Sequence, residues 1–155
     1  MIVGVGVDLC EVARVARAIE GRDGVAFLRR VFTATERTYC DRRRGGARVQ
    51  SYAARFAAKE AAMKALGTGW GQGVTWQDGE VIRDGDGPPQ LVVHGAAAER
   101  VPAGGRWHLT LSHSATTAIA WALLEVVPAT AIAPASAAKR VAAARSTQRP
   151  PTRQR

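Results

Sequence analysis

The sequence predicts an α+β fold in which an antiparallel sheet packs against one long helix and several shorter helices. Helical patterns cluster in the first half of the chain, whereas β-rich segments separated by glycine and proline turns follow one another in the second half. This grouping is typical of α+β proteins rather than of doubly wound sheets, where strands and helices alternate. The 155 residues, 46% of them hydrophobic, are enough for one domain with its own core.

Local signals predict each element in chain order. A valine-rich first segment indicates a strand, and Thr33-Ala34-Thr35-Glu36 has the form of a capping box that begins a helix. Glycine and proline separate most of the later segments. The predicted helices cover 11–20, 25–31, 34–42, 49–66 and 95–100, and the predicted strands cover 2–9, 74–77, 80–83, 90–93, 107–112 and 117–127.

The net charge of +9 is unevenly distributed along the chain. Six of the 22 basic residues follow residue 128 with no acidic residue among them, which leaves 16 basic and 13 acidic residues before that point. The segment 128–155 has too few bulky apolar residues to offset the entropy of ordering it. We therefore predict a folded domain over 1–127 and a basic, disordered tail over 128–155. A short helix or weak, salt-sensitive nucleic-acid binding is the alternative for the tail.

The sequence argues against a membrane or secreted protein. No apolar run approaches the roughly 20 residues that span a bilayer, and the N-terminus lacks the basic segment of a secretory signal. Cys10 and Cys40 are not spaced like metal ligands, which favours two reduced thiols. These observations predict a cytoplasmic protein with no membrane partner.

The helix predicted over 49–66 carries the strongest functional signal. Lys59 and Glu60 interrupt its apolar face, and a charge on such a face is costly unless it is paired, hydrogen-bonded or bound to a metal. Arg55 and Lys64 add further cations at near-helical spacing, so the pattern favours a site for a metal ion and a polyanion. The apolar face itself consists of Val49, Tyr52, Phe56, Met63 and Leu66.

Asp8 and the residues around it allow more than one interpretation. Asp8 at the end of the first strand suits an N-cap of the next helix, or, together with Glu60, a ligand of a hard cation such as Mg²⁺. Glu60 and Lys64, at i and i+4, suit a plain surface ion pair. Gly4-x-Gly6 lacks the third glycine of a dinucleotide fingerprint, which favours close packing of the strand instead.

Two later motifs were compared with known site patterns, and neither matches one. The glycine-rich segment 67–73 follows a helix and lacks a Lys-Ser/Thr ending, so it is not a phosphate-binding Walker loop. Gly67 suits a left-handed helix cap, or close passage of the backbone past a ligand. Ser112-His113-Ser114 stands at a predicted strand end without a nucleophile-elbow pattern, which argues against acyl-serine hydrolysis.

Three blocks together resemble the holo-[acyl-carrier-protein] synthases, the phosphopantetheinyl transferases of fatty-acid synthesis. They occur in the family's order, cover about residues 1–127, and consist of the strand Ile2–Val12 with Asp8, the helix Arg55–Gly69 with Lys59-Glu60, and the ending Leu111–Glu125 with Ser112-His113. The resemblance implies the fold of the 4′-phosphopantetheinyl transferases. At this chain length it also implies a homotrimer with active sites between protomers.

The resemblance also implies an activity. It is the Mg²⁺-dependent transfer of 4′-phosphopantetheine from coenzyme A to a serine of apo acyl carrier protein, with release of adenosine 3′,5′-bisphosphate. Asp8 and Glu60 are implied as the metal ligands, and Lys64 as a third catalytic residue that stabilises the leaving phosphate. The general base stays open between Glu60, a metal-bound water and His113, because Ser114 stands where some family members carry an aspartate.

The implied binding residues fall into two groups. Coenzyme A contacts are implied for Arg55, Lys59, Lys64, Gly67, Ser112 and His113. Carrier contacts are implied for Arg14, Phe27 and Arg30, where a basic patch with an apolar anchor suits an acidic partner. The alternatives are an inactive homologue and a basic module that docks acidic carriers or nucleic acid, although Asp8 and Glu60 argue against such a module.

Overall fold

The computed structural model describes residues 1–128, so the predicted tail lies, except for Pro128, outside the described residues. Strands β1, β5 and β4 form one antiparallel sheet in that order, and β2 pairs with β3 in an antiparallel hairpin. The α+β prediction is confirmed. The elements are β1 (Ile2–Glu11), α1 (Val12–Glu20), α2 (Gly24–Val31), α3 (Ala34–Asp41), α4 (Gly46–Leu66), β2 (Gly79–Arg83), β3 (Pro89–Val93), α5 (Gly95–Ala98), β4 (Gly105–His113) and β5 (Thr117–Val126).

Helix α4 covers one face of the three-stranded sheet, and small residues let the two approach closely. The side of α4 against the sheet is rich in alanine, and β5 adds Ala118, Ala120 and Ala122, all buried. A Cβ atom on Gly6 would lie 2.0 Å from the Ala61 carbonyl oxygen of α4. The prediction that the glycines of β1 serve close packing is therefore confirmed, and the dinucleotide alternative is excluded because both glycines lie within a strand.

We expect Gly6→Ala to destabilise the fold, because the new methyl group forces α4 away from β1. Overpacking of this kind costs about 1–3 kcal/mol, measurable as a lower free energy of unfolding in urea. Gly46→Ala at the start of α4 is the control, since a Cβ there meets no atom within 4 Å. Equal stability of the two variants would contradict the close α4–β1 contact.

One predicted strand is wrong, and one proposed cap is absent. Residues 74–77 do not form a strand but lead into a 3₁₀ turn over Trp76–Asp78. The buried Asp78 carboxylate accepts hydrogen bonds from the Thr75 hydroxyl and the Ala97 amide, and these close the turn and outweigh the local β propensity. Asp8 is not the N-cap of α1, because it lies within β1 and α1 begins only at Val12.

Other local predictions are confirmed. Thr33 and Glu36 form both hydrogen bonds of a capping box at the start of α3. Gly67 ends α4 in the left-handed conformation at φ 76°. Cys10 and Cys40 are free thiols, and burial raises their pKa values to about 11 and about 12. Among residues 1–128, no helix has both the length and the apolar character needed to cross a membrane.

Candidate active site

Strand β1 and helix α4 bring Asp8, Lys64 and Glu60 together. Asp8 pairs in register with the buried Ala120, which places it on the sheet face that α4 covers. Lys64 Nζ, in the last turn of α4, donates to Asp8 Oδ1 at 2.8 Å and to the Val7 carbonyl at 3.2 Å. The cation of the last turn therefore pairs with β1, and not with Glu60 as the i,i+4 spacing suggested.

The two carboxylates act on the same neighbouring groups. The hydrogen bond to Asp8 raises the pKa of Lys64, and the charge of Glu60 adds to that rise. Burial, together with the charges of Asp8 and Glu60, raises the pKa of the Cys10 thiol to about 11. Glu60 lies one helical turn before Lys64 on α4, and Lys64 contacts Asp8, so the three side chains share one region. The Cys10 thiol is a soft donor, unlike the oxygen ligands that Mg²⁺ prefers, and is therefore not a candidate ligand for such a cation.

The donor set at this site fits Mg²⁺. Mg²⁺ prefers oxygen ligands and usually takes one or two carboxylates, with water and substrate phosphate completing its shell. Within the described part of the chain, no cluster of three or more His, Cys, Asp or Glu side chains is arranged to hold a metal. Ser114 is a turn residue, whose hydroxyl accepts from the amides of Thr116 and Thr117 between β4 and β5.

Lys59 is a core residue, which corrects the expectation that it contacts coenzyme A. Its side chain is completely buried, and Nζ lies 2.7 Å from Glu36 Oε2. It also donates to the Val31 and Trp76 carbonyls, at 2.6 and 2.8 Å. Burial lowers the pKa of Lys59, and the Glu36 carboxylate opposes that shift. Three acceptors occupy the ammonium, so it has no proton left for a phosphate.

Arg55 and His113 line a second basic region. They meet at a cavity of about 140 Å³ between α3, α4 and β4, whose lining also includes Tyr39 and Arg83. The Arg55 guanidinium stacks 4.0 Å from the centre of the Tyr39 ring, and its buried Nε has no hydrogen-bond partner among residues 1–128. A buried guanidinium with an unused donor is suited to an anion.

The pKa of the Tyr39 hydroxyl is lowered by the positive charges around this cavity. Burial raises the pKa of Tyr39, but the hydrogen bond from Arg43 and the charges of Arg43, Arg55 and Arg83 outweigh it, so the pKa is lowered. Tyr39 and Arg83 were missed from the sequence, because they lie on α3 and β2, outside every motif. No spacing along the chain marks them as neighbours of Arg55.

Ser112 and His113 point to opposite faces of the sheet, as consecutive residues of a strand do. His113 pairs with the buried Ala118 and lines the Arg55 cavity, whereas Ser112 pairs with the exposed Ile119 on the face away from α4. The six residues predicted to contact coenzyme A therefore lie in four different parts of the structure. Lys64 and Gly67 lie at the Asp8 end of α4, Arg55 and His113 at the cavity, Ser112 on the outer sheet face and Lys59 in the core.

The residues predicted for carrier binding lie on the first two helices. The Arg14 guanidinium of α1 stands over the Phe56 ring, 5.4 Å from its centre. Phe27 is half-buried and packs edge-on against Phe32, whereas Arg30 is exposed in the last turn of α2. The first two helices thus carry the positive charges of Arg14 and Arg30 together with the aromatic side chain of Phe27.

Fold and site together define a class of transferase. Residues 4–122 match the family model described as the 4′-phosphopantetheinyl transferase superfamily, and the chain belongs to this family. Its relatives include the holo-[acyl-carrier-protein] synthase of Methylobacterium radiotolerans, 49% identical over 134 residues that cover 83% of this chain and 96% of the relative. The synthase of Koribacter versatilis is 48% identical over 127 residues, covering 81% and 99%.

Solved structures agree with this assignment. A holo-(acyl-carrier-protein) synthase of Bacillus anthracis, crystallised in complex with CoA (3′,5′-ADP), is similar with a TM-score of 0.69 and 35% identity. The similarity covers 82% of this chain and 99% of that one. The acyl carrier protein synthase of Mycobacterium tuberculosis has a TM-score of 0.62 and 32% identity, covering 82% and 100%.

Proposed function

We propose that this protein is a cytoplasmic enzyme that moves 4′-phosphopantetheine from coenzyme A to a serine of apo acyl carrier protein and releases adenosine 3′,5′-bisphosphate. The observation that carries the proposal is the grouping of Asp8, Glu60 and Lys64 where β1 meets α4. The similarity to holo-[acyl-carrier-protein] synthases over most of both chains supports it.

The chemistry requires charge neutralisation and positioning more than covalent help. The carrier hydroxyl forms a bond to the β-phosphorus of coenzyme A, the bond from that phosphorus to the leaving bisphosphate breaks, and the hydroxyl proton passes to a base. Asp8 and Glu60 would hold Mg²⁺, which supplies positive charge to the pyrophosphate. Lys64 adds a mobile ammonium at the same place. Of the two candidate side-chain bases, Glu60 lies at this place and is favoured over His113, which lines the Arg55 cavity.

The Arg55 cavity suits another anionic part of coenzyme A. Arg55 is only 5% exposed and retains an unused donor, and His113 completes the lining from β4. A phosphate group seated there would receive charge-assisted hydrogen bonds from a side chain that stacking on Tyr39 already holds in place. We assign Arg55 and His113 to coenzyme binding on this basis.

The direct test is incubation of the purified protein with coenzyme A, Mg²⁺ and an apo acyl carrier protein, followed by mass spectrometry of the carrier. We expect the carrier to gain the mass of one phosphopantetheine group at its serine. A carrier variant with that serine changed to alanine is the control and gains none. An unmodified carrier at high enzyme concentration would contradict the proposal.

Arg14→Glu is expected to weaken carrier binding far more than coenzyme binding, because it sets like charge against an acidic partner. The Michaelis constant for the carrier should rise at low salt, and the difference from the unaltered protein should shrink as salt screens the charges. Arg44→Glu in the exposed loop between α3 and α4 is a matched charge change away from α1 and α2. If both variants raise this constant equally, the effect is one of net charge rather than of a docking surface.

We propose that the outer face of the three-stranded sheet binds further copies of this chain, giving the homotrimer. This face carries Val5, Val7, Leu9, Ile119 and Trp121, each 41% to 61% exposed. Register pairs Val7 with Trp121 and Leu9 with Ile119, so these residues form one continuous apolar surface. Apolar patches of this kind mark protein interfaces. Ser112 lies on the same face and would then stand at the junction between copies.

Trp121→Glu is expected to reduce the assembly to single chains of 16.5 kDa. It places a charge in the middle of the apolar face, where burial against a second copy would leave it unpaired. Analytical ultracentrifugation at several protein concentrations measures the mass. Val25→Glu is the control, since Val25 is another exposed apolar residue but lies on α2. An unchanged mass for Trp121→Glu would contradict the interface.

A further inference from the structure

The Lys64–Asp8 ion pair occupies a ligand that the proposed metal requires. Lys64 Nζ lies 2.8 Å from Asp8 Oδ1, and its second acceptor is the Val7 carbonyl of the same strand. The Asp8 side chain is 17% exposed, whereas that of Lys64 is 52% exposed. The carboxylate is therefore held in the fold, and the ammonium reaches it from the solvent side on a flexible stem.

The ammonium occupies Oδ1 of Asp8, and a divalent cation on the same carboxylate would repel it, so each weakens the binding of the other. Charges of the same sign a few ångströms apart raise each other's energy, and the effect is greatest when one of them is divalent. The backbone of α4 is fixed in this turn, since the Gly67 and Thr68 amides bond to the Lys64 and Met63 carbonyls. The lysine side chain, with four rotatable carbons and half its surface in solvent, is therefore the part that moves.

We propose that Lys64 is a removable counter-ion for Asp8: it neutralises the carboxylate in the metal-free protein, competes with the divalent cation for it, and passes to a coenzyme A phosphate when the cation binds. The proposal rests on the proposed function and deepens it. It gives Lys64 two successive partners, and it explains why a cation stands beside a ligand for another cation. Departure of the ammonium from Asp8 supplies a free donor at the place where the phosphate arrives.

The test is the dissociation constant of Mn²⁺, used as a spectroscopic substitute for Mg²⁺, measured by electron paramagnetic resonance without coenzyme A or carrier. Lys64→Met is expected to bind Mn²⁺ about fivefold more tightly or better, because it removes both the competing ion pair and a nearby positive charge. Lys64→Arg keeps the competing charge and should bind within about twofold of the unaltered protein. Arg22→Met removes one positive charge from the exposed turn between α1 and α2 and should have no effect.

Each outcome decides the proposal. Equal Mn²⁺ affinity for Lys64→Met and the unaltered protein, including no binding by either, overturns it, and so does an equal gain in Arg22→Met. Asp8→Asn and Glu60→Gln separate this result from failure of the metal site. If both lower the affinity while Lys64→Met leaves it unchanged, the metal site stands and only the competition is wrong. If neither lowers it, the metal binds elsewhere and both ideas fail.

Discussion

Glu60→Gln is expected to lower the rate of phosphopantetheine transfer by about a thousandfold or more at saturating Mg²⁺. The substitution keeps the size and shape of the side chain but removes its charge and replaces one acceptor oxygen by a donor, so the proposed metal loses one of two anionic ligands. A bound cation supplies several kcal/mol of charge stabilisation in such reactions, and each ~1.4 kcal/mol is a factor of ten in rate. The rate is measured as carrier modified per unit time by mass spectrometry.

The controls for this variant separate charge at the site from folding. Glu60 is only half-buried, so the thermal unfolding midpoint of Glu60→Gln should stay near that of the unaltered protein. Glu20→Gln, at the exposed end of α1, removes the same charge away from the site and should keep full activity. Transfer by Glu60→Gln within tenfold of normal would remove Glu60 from the metal site.

Lys59→Met is expected to lower the free energy of unfolding by about 3–5 kcal/mol, the usual cost of removing one partner of a buried ion pair. The variant leaves the completely buried Glu36 without its countercharge. It also leaves the Val31 and Trp76 carbonyls without the hydrogen bonds that the ammonium donates to them. Glu36 also accepts from the Thr33 and Val81 amides, so the disturbance reaches α3 and β2. Urea unfolding followed by circular dichroism measures the loss.

Two further variants show whether the pair is the cause. Lys64→Met removes the other lysine of α4, whose ion pair is half exposed, and should cost no more than about 1 kcal/mol. The double variant Lys59→Met/Glu36→Gln should be more stable than the sum of the single changes, because the uncompensated charge is gone. Equal losses for Lys59→Met and Lys64→Met would show that the buried pair does not stabilise the core.

Much of the fold was predictable because its signals are local. The capping box at Thr33 and Glu36 and the glycine at the end of α4 both act within a few residues. The strand predicted over 74–77 is wrong because Asp78 holds the turn through two hydrogen bonds, one of which comes from the distant Ala97 amide and lies outside any local window. The start of α4 at Gly46 rather than 49 was likewise not marked by a side-chain cap.

The two lysines of α4 have different roles, and their spacing along the helix predicts only part of that difference. Five residues along a helix correspond to a rotation of about 140°, so Lys59 and Lys64 face different directions, whereas Glu60 and Lys64 are only about 40° apart. These angles follow from the spacing alone and place Lys59 near the apolar face. The spacing does not reveal that Glu36 lies opposite that face, because the sequence marks Glu36 only as a capping residue.

The sequence by itself determined the α+β class, the long helix and the kinds of side chain that form the site, since periodicity and capping are properties of neighbouring residues. Only the tertiary structure decided which charges meet. Lys59 pairs with Glu36 in the core, and Lys64 pairs with Asp8, 56 residues away. The physical reason is that burial and electrostatic energy depend on distance in space, and the close approach of α4 to the glycines of β1 sets those distances.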